Sequence, residues 1–118
     1  MNYANTRKAF GQSIGQFQGI SHKISQMKVN LEVGRLALYR AAWMKTVGKH
    51  AALESSAAKL FVSEIFKSAC LDAVQVLGGY GYSKEYGLER DLRDSVAGTI
   101  FSGTSEVQLN IISRLLGL

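Results

Sequence analysis

The sequence predicts an all-α fold, an antiparallel, up-and-down four-helix bundle. Three observations carry this. The 118 residues include no proline, so no position lacks the backbone donor that a continuous helix needs. Apolar residues recur at steps of three and four over long stretches, the period of a helix with one face on a core. The connections are short and centred on glycine and serine, which makes successive helices antiparallel neighbours. At this length the chain reads as one domain, residues 1–118, large enough for its own core.

Taken in order, residues 2–9, NYANTRKA, read as the tail of a helix with no obvious N-cap unless Asn2 serves. Phe10-Gly11 stops it, with Gly11 suited to the left-handed position after a helix. Ser13 is expected to cap the next helix, with Gln16 as its capping-box partner. That helix carries Phe17, Ile20, Ile24, Met27, Leu31, Leu38, Ala41 and Ala42 on one stripe. Gly34 falls on the same stripe and invites close approach by a neighbour. Trp43 reads as a packing residue, and Gly48 ends the helix beside Lys45 and Lys49, where the helix dipole favours cations. A third helix is expected from near Ala51–Ser55 to Leu77. Its apolar stripe is wide, so it should be covered on more than one side, and Ser55 to Ala58 are small enough for tight contact. A short helix over Glu89–Thr99 follows. The last spans Thr104–Leu116, capped by Thr104 or Ser105, with Val107, Ile111, Ile112, Leu115 and Leu116 as its buried face.

Composition narrows the function classes. The net charge is +5, and it is carried by the first half of the chain, which suggests an anionic partner. The basic residues are scattered, without a cluster or an aromatic stacking platform, which argues against nucleic acid. A phosphate-bearing cofactor or coenzyme A fits better. The single Cys70 excludes an internal disulfide, fits a reducing compartment and reads as an inert core thiol. No apolar run is long enough to span a membrane, and the first residues lack the apolar core of a signal peptide. The expected location is cytoplasmic. His22 and His50 show no metal-ligand spacing with Cys70 or the acids, so no metal is expected.

Two glycine-broken turns are the irregular parts of the sequence, Gly78-Gly79-Tyr80-Gly81 and Ser102-Gly103-Thr104-Ser105. Paired glycines let backbone N–H groups approach a ligand closely. The second turn opens a helix, whose N-terminal N–H groups attract anions and polar ligands. Each turn has an equally ordinary reading, as a helix C-cap in the first case and an N-cap in the second.

These turns also carry a resemblance. Asp72-Ala73-Val74-Gln75 with Gly78-Gly79-Tyr80-Gly81-Tyr82, then Glu89-Arg90 and Arg93-Asp94, then Gly103-Thr104-Ser105-Glu106-Val107-Gln108 resemble the C-terminal helical domain of the acyl-CoA dehydrogenase flavoproteins. Arg7 with Phe10-Gly11 and Phe17-Gln18 fits the opening motif of that domain. Four spaced motifs in register cover nearly the whole chain, far more specific than any one alone. The resemblance implies FAD as cofactor. It implies that Arg7 binds the FAD pyrophosphate, that Phe10 packs near the flavin and that Gln18 reaches the cofactor, all from a neighbouring subunit. Gln75, Gly78 and Gly79 match residues that hold the adenosine end, and Thr104 and Glu106 match residues that contact the flavin nucleotide. It further implies an acyl-CoA substrate, a homodimer or homotetramer or a heteromer, and electron-transfer flavoprotein as redox partner.

Ser102 departs from the family pattern. Many members carry a catalytic glutamate there, which removes the α-proton of the acyl thioester. Serine cannot do so without a base of its own, so no catalytic residue is assigned. Phe101, Val96 and Gly87 also stand where tyrosine, lysine and proline are frequent. Three explanations are open: a glutamate on the helix preceding this domain, a partner subunit that supplies the site, or different flavin chemistry. The ending Gly103 to Ile112 resembles the branch with the earlier glutamate, which favours the first. The functional expectation is therefore a C-terminal domain of an FAD-dependent acyl-CoA dehydrogenase, inactive alone. The alternatives are a non-catalytic partner subunit and a flavin-independent helical interaction module.

Overall fold

The computed structural model describes residues 1–118. Six α-helices account for most of the chain: α1 (Asn2–Thr6), α2 (Gln18–Thr46), α3 (Ala52–Leu77), α4 (Gly79–Tyr82), α5 (Leu88–Gly98) and α6 (Ser105–Leu115). Between α1 and α2 lie two short strands, β1 (Lys8–Ala9) and β2 (Gln12–Ser13), and a 3₁₀ turn at Ile14–Gln16. The all-α, antiparallel expectation holds. The molecule is elongated, 56 × 25 × 23 Å, because the two long helices lie side by side.

α3 is the hub. α2, α5 and α6 each pack on it more than on one another, which accounts for its wide apolar stripe. The pairing of α2 with α3 is antiparallel. Lys23 meets Asp72 at one end and Arg40 meets Glu54 at the other. Midway, a Cβ on Gly34 would lie 3.2 Å from the Ile65 side chain and 3.4 Å from that of Val62, so the close approach expected there is real. α5 returns along α3 in the opposite sense. The Cys70 thiol donates to the Asp91 carbonyl, and Gly98 faces Ser63. α6 then starts beside the middle of α3, where the Ser105 hydroxyl donates to the Glu64 carboxylate at 2.6 Å.

The opening segment differs from its sequence reading. Residues 8–13 form a two-residue hairpin in the register Lys8↔Ser13 and Ala9↔Gln12, not the end of a helix. Phe10 and Gly11 both have positive φ, 51° and 83°, as a tight hairpin of right-twisted strands requires. Ser13 is taken into that pairing and makes no side-chain cap. α2 accordingly starts at Gln18, after the expected Ser13 start. At its other end, Gly48 takes φ 72° beside Lys45, as expected.

The core is made of small residues: Ala4, Ala41, Ala51 and Ala58, with Cys70 and Val76. Ser56 and Ser63 are buried with them. Small contacts let helix axes approach, but they leave the large apolar side chains outside. Leu31, Leu38 and Trp43 of α2 are exposed, as are Val107 and Leu115 of α6 and Leu116 just after it, while Ile111 and Ile112 are half-buried. The packing role expected of Trp43 and the buried face expected of α6 are therefore corrected. The Trp43 ring instead lies under the Lys49 ammonium, 5.2 Å from its centroid. Gln108, a polar residue, is the buried one on α6. Val29, Val33, Leu36, Trp43 and Val47 also share one exposed face of α2 at helical spacing. An apolar surface of this extent marks a contact region.

Candidate functional site

The two glycine turns sit at different levels of α3 and have different surroundings. The first follows the C-terminus of α3. Gly78 has φ 60° and ψ −135°, a conformation that excludes side chains with a Cβ. A Cβ on Gly79 would meet nothing within 4 Å. Gly81 is different again. A Cβ there would lie 2.6 Å from the Val74 carbonyl oxygen, so its lack of a side chain is what lets α4 fold back on α3.

Gln75, Gly78 and Gly79 border an open cleft of about 530 Å³, together with Arg7, Tyr3 and Tyr80. Arg7 is delivered there by α1, whose Ala4 is fully packed. The Arg7 side chain is exposed and makes no ion pair. An unpaired guanidinium, an amide and two glycines open to solvent form a donor set that fits a diphosphate ester. One carboxylate, Glu85, also lies on the rim. Tyr3, Tyr80 and Tyr86 form a mutual edge-to-face cluster with centroids 5.6–6.3 Å apart. Sequence reading gave this cluster no role, because its members come from three separate segments.

Phe10 and Gln18 lie on the neighbouring hairpin and at the start of α2. Phe10 is 96% exposed at the hairpin tip, with only Phe17 against its ring at 6.2 Å. Thus four of the expected cofactor residues share one cleft, while Phe10 and Gln18 do not line it and are both exposed.

Thr104 and Glu106 lie elsewhere, beside Lys59 and Glu64 of α3. From Glu64 to Gln75 is eleven residues, about 16 Å of helix at ~1.5 Å per residue. The N-terminus of α6 is already satisfied. The Thr104 hydroxyl accepts from the Val107 N–H at 3.3 Å. The Ser105 N–H donates to the Thr99 carbonyl. Glu106 is held below the usual carboxylate range by its own backbone N–H and by the Thr104 hydroxyl, with help from the charges of Lys59 and Lys67. Glu64 is likewise lowered, chiefly by the Ser105 hydroxyl. With two carboxylates at hand, this end does not fit a phosphate. Its exposed polar side chains fit a neutral, hydrogen-bonding ligand group.

The turn before it is strained. Ser102 has φ 56° and Gly103 has φ 87°. The Gln108 amide donates to the Ser102 carbonyl at 3.1 Å and the Gly103 carbonyl at 3.4 Å. Lys59 donates to the Gly103 carbonyl at 2.7 Å. Sequence reading missed all three braces. Lys59 and Glu64 are remote in the chain, and only the polar Gln108 in an apolar repeat was a visible signal. The Ser102 hydroxyl has no hydrogen-bond partner that could act as its base. Burial raises the Cys70 thiol above its ordinary value, which leaves it neutral and unreactive. No group of three or more His, Cys, Asp or Glu is placed to hold a metal ion, and no helix is long and apolar enough to cross a membrane.

Comparison with known proteins identifies the family. Residues 1–117 match the family described as acyl-CoA dehydrogenase, C-terminal domain. The L-prolyl-[peptidyl-carrier protein] dehydrogenase of Pseudomonas fluorescens is 45% identical over 118 residues, which are 100% of this chain and 31% of that protein. The caffeyl-CoA reductase-Etf complex subunit CarC of Acetobacterium woodii is 46% identical over 116 residues, 98% of this chain and 31% of that protein. Among solved structures, the FAD complex of PigA superposes with a TM-score of 0.96 at 44% identity, covering 99% of this chain and 30% of that one. The chain thus spans about a third of the length of these relatives, and it belongs to the acyl-CoA dehydrogenase family as its C-terminal helical domain.

Proposed function

We propose that this domain serves an FAD-dependent dehydrogenase that introduces an α,β double bond into an acyl-CoA thioester. The observation that carries the reading is the convergence of Arg7, Gln75, Gly78 and Gly79 on one open cleft, in a domain whose likeness extends to an FAD complex at 44% identity. When bound, FAD supplies the hydride acceptor for the substrate's β-carbon. Arg7 neutralises the diphosphate, Gln75 and the backbone of Gly78-Gly79 hold the adenosine side, and Phe10 from the hairpin and Gln18 from the start of α2 reach the cofactor. Thr104 and Glu106 hold the polar part of the flavin nucleotide. The two patches sit at different levels of α3, which supports a cofactor held between copies, with the cleft of one facing the α6 turn of another. The exposed apolar face of α2 supplies a contact surface for such an assembly, a homodimer or homotetramer.

The base that takes the α-proton lies outside this domain. Ser102 occupies the place where a carboxylate would serve, and its hydroxyl has no activating partner. The parent protein delivers electrons onward to an electron-transfer flavoprotein, a partner suggested by the name of the Acetobacterium relative. A second reading concerns the thioester carrier. The Pseudomonas relative acts on a prolyl group borne by a carrier protein, so a carrier-protein thioester is the alternative substrate class.

Both readings are tested on the full-length protein. Flavin absorbance is expected in the purified enzyme, bleached by acyl-CoA under anaerobic conditions. Bleaching only by aminoacyl-carrier-protein substrates selects the second reading. A colourless protein that takes up no FAD overturns both.

A further inference from the structure

We propose that Lys59 is a positioning residue for the Ser102–Gly103 turn, and through it for the groups that Phe101 and Ser102 present to substrate and cofactor. The inference rests on the flavin reading above. Lys59 sits in the first half of α3, 44 positions from Gly103, and its ammonium donates to the Gly103 carbonyl at 2.7 Å. It makes no ion pair. Its stem lines an apolar groove with Ala41, Ala58, Phe66 and Phe101. A lysine in such a place normally carries its charge out to water. This one directs it inward, to a neutral backbone oxygen.

The recipient is the strained part of the chain. Two successive residues with positive φ, one of them a serine, persist only where the surroundings over-determine them. Gln108 engages chiefly the Ser102 carbonyl, so Lys59 is the shorter brace on Gly103. α3 also grips the chain two residues on, where the Ser105 hydroxyl donates to Glu64. With the Gly103 carbonyl drawn toward α3 and the Ser102 carbonyl toward α6, the side chains of Phe101 and Ser102 are left exposed. The position of the Lys59 hydrogen bond to Gly103 therefore sets where these side chains stand.

The test uses the full-length protein and two variants. Lys59→Met keeps a flexible stem and removes the donor and the charge; Lys59→Arg restores a cationic donor. Amide hydrogen exchange is followed over residues 99–106, with flavin content, kcat and KM for the thioester substrate. Loss of one charge-assisted hydrogen bond is expected to speed exchange at this turn by about tenfold or more in Lys59→Met. A fall of similar size in kcat is expected, with flavin content and melting temperature near wild type. Lys59→Arg should recover most of both. Wild-type exchange and wild-type kcat in Lys59→Met overturn the proposal. Equal losses in both variants with a lowered melting temperature also overturn it, because they mark a packing role only. A wild-type protein without flavin defeats the flavin reading, while the exchange measurement still reports on the brace.

Discussion

The two glycine turns look alike in sequence and are built for opposite purposes. At Gly78-Gly79 no side chain braces the backbone, the neighbouring guanidinium is unpaired, and an added Cβ would meet open space. At Ser102-Gly103 both carbonyls accept from side chains, and a Cβ on Gly103 would lie 2.7 Å from the Gln108 amide nitrogen. The first is a surface left ready for another molecule. The second is a braced pivot that holds its own side chains at an angle. A glycine therefore signals vacancy in one turn and crowding in the other, and only the packing distinguishes them.

Alanine scanning is the most direct way to break this comparison, and its largest effect is expected inside the first turn. Gly81→Ala sets a methyl against the Val74 backbone, which cannot yield as a side chain would. A loss of about 3 kcal/mol is expected, read as a fall in melting temperature on the order of 10 °C. Gly79→Ala, two residues away, should stay within ~0.5 kcal/mol of wild type while lowering flavin content. If Gly79→Ala destabilises as much as Gly81→Ala, the first turn is a packing element throughout and the cleft has no special standing.

Side-chain deletions sharpen the contrast at intermediate scale. Arg7→Ala removes an exposed, unpaired cation, so stability is expected to be unchanged. Loss of its charge-assisted bonds to a diphosphate should weaken FAD retention by ~1.5–3 kcal/mol, roughly 10- to 100-fold. Thr104→Ala should differ by adding a stability loss of about 1 kcal/mol from the missing N-cap to a smaller loss of flavin, since it gives up a neutral hydrogen bond and no charge. Flavin titration and thermal melts on both variants decide the matter. Equal behaviour of the two would erase the distinction between a binding end and a braced end.

Much of this fold was legible in the sequence because helix period and glycine punctuation are local. The ends of α2 and α3 at Thr46 and Leu77 follow from Gly48 and Gly78, and the Thr104 cap was readable three residues from its partner. The hairpin at Lys8–Ser13 was not, since two residues per strand are too few to show an alternating pattern. Exposure failed for a different reason. Trp43, Leu38 and Leu115 have the composition of a core, but burial depends on what else covers them, and this chain alone does not. At the candidate site, the residues Arg7, Gln75, Gly78 and Gly79 could be named, but their meeting in one cleft depends on α1 packing against the end of α3. Lys59 and Glu64 are invisible in sequence because each is one polar residue on a long helix, with its partner more than forty positions away.

The smallest expected effect concerns acid, and it separates the braced turn from the rest of the surface. The hydrogen bond from Ser105 holds Glu64 below its ordinary value of 4.5, and Glu106 is lowered beside it by its own N–H and Thr104. A carboxylate depressed in the folded state adds stability that is present above its unfolded value and disappears as pH falls through its folded value. The start of α6 should therefore loosen only below about pH 4.5, seen as faster exchange of the amides of residues 104–108. Glu106 is exposed and Glu64 only half-buried, so the effect is modest and weakens with salt. Glu64→Gln keeps an acceptor for Ser105 but does not titrate, and it should flatten much of this pH dependence. Glu32 is also lowered, by Lys28 on the same helix, yet it touches nothing near α6. Glu32→Gln should leave exchange at α6 unchanged at every pH. A matching response in both variants would mean that acid acts through net charge across the whole domain, with no special part for the contact between α3 and the turn.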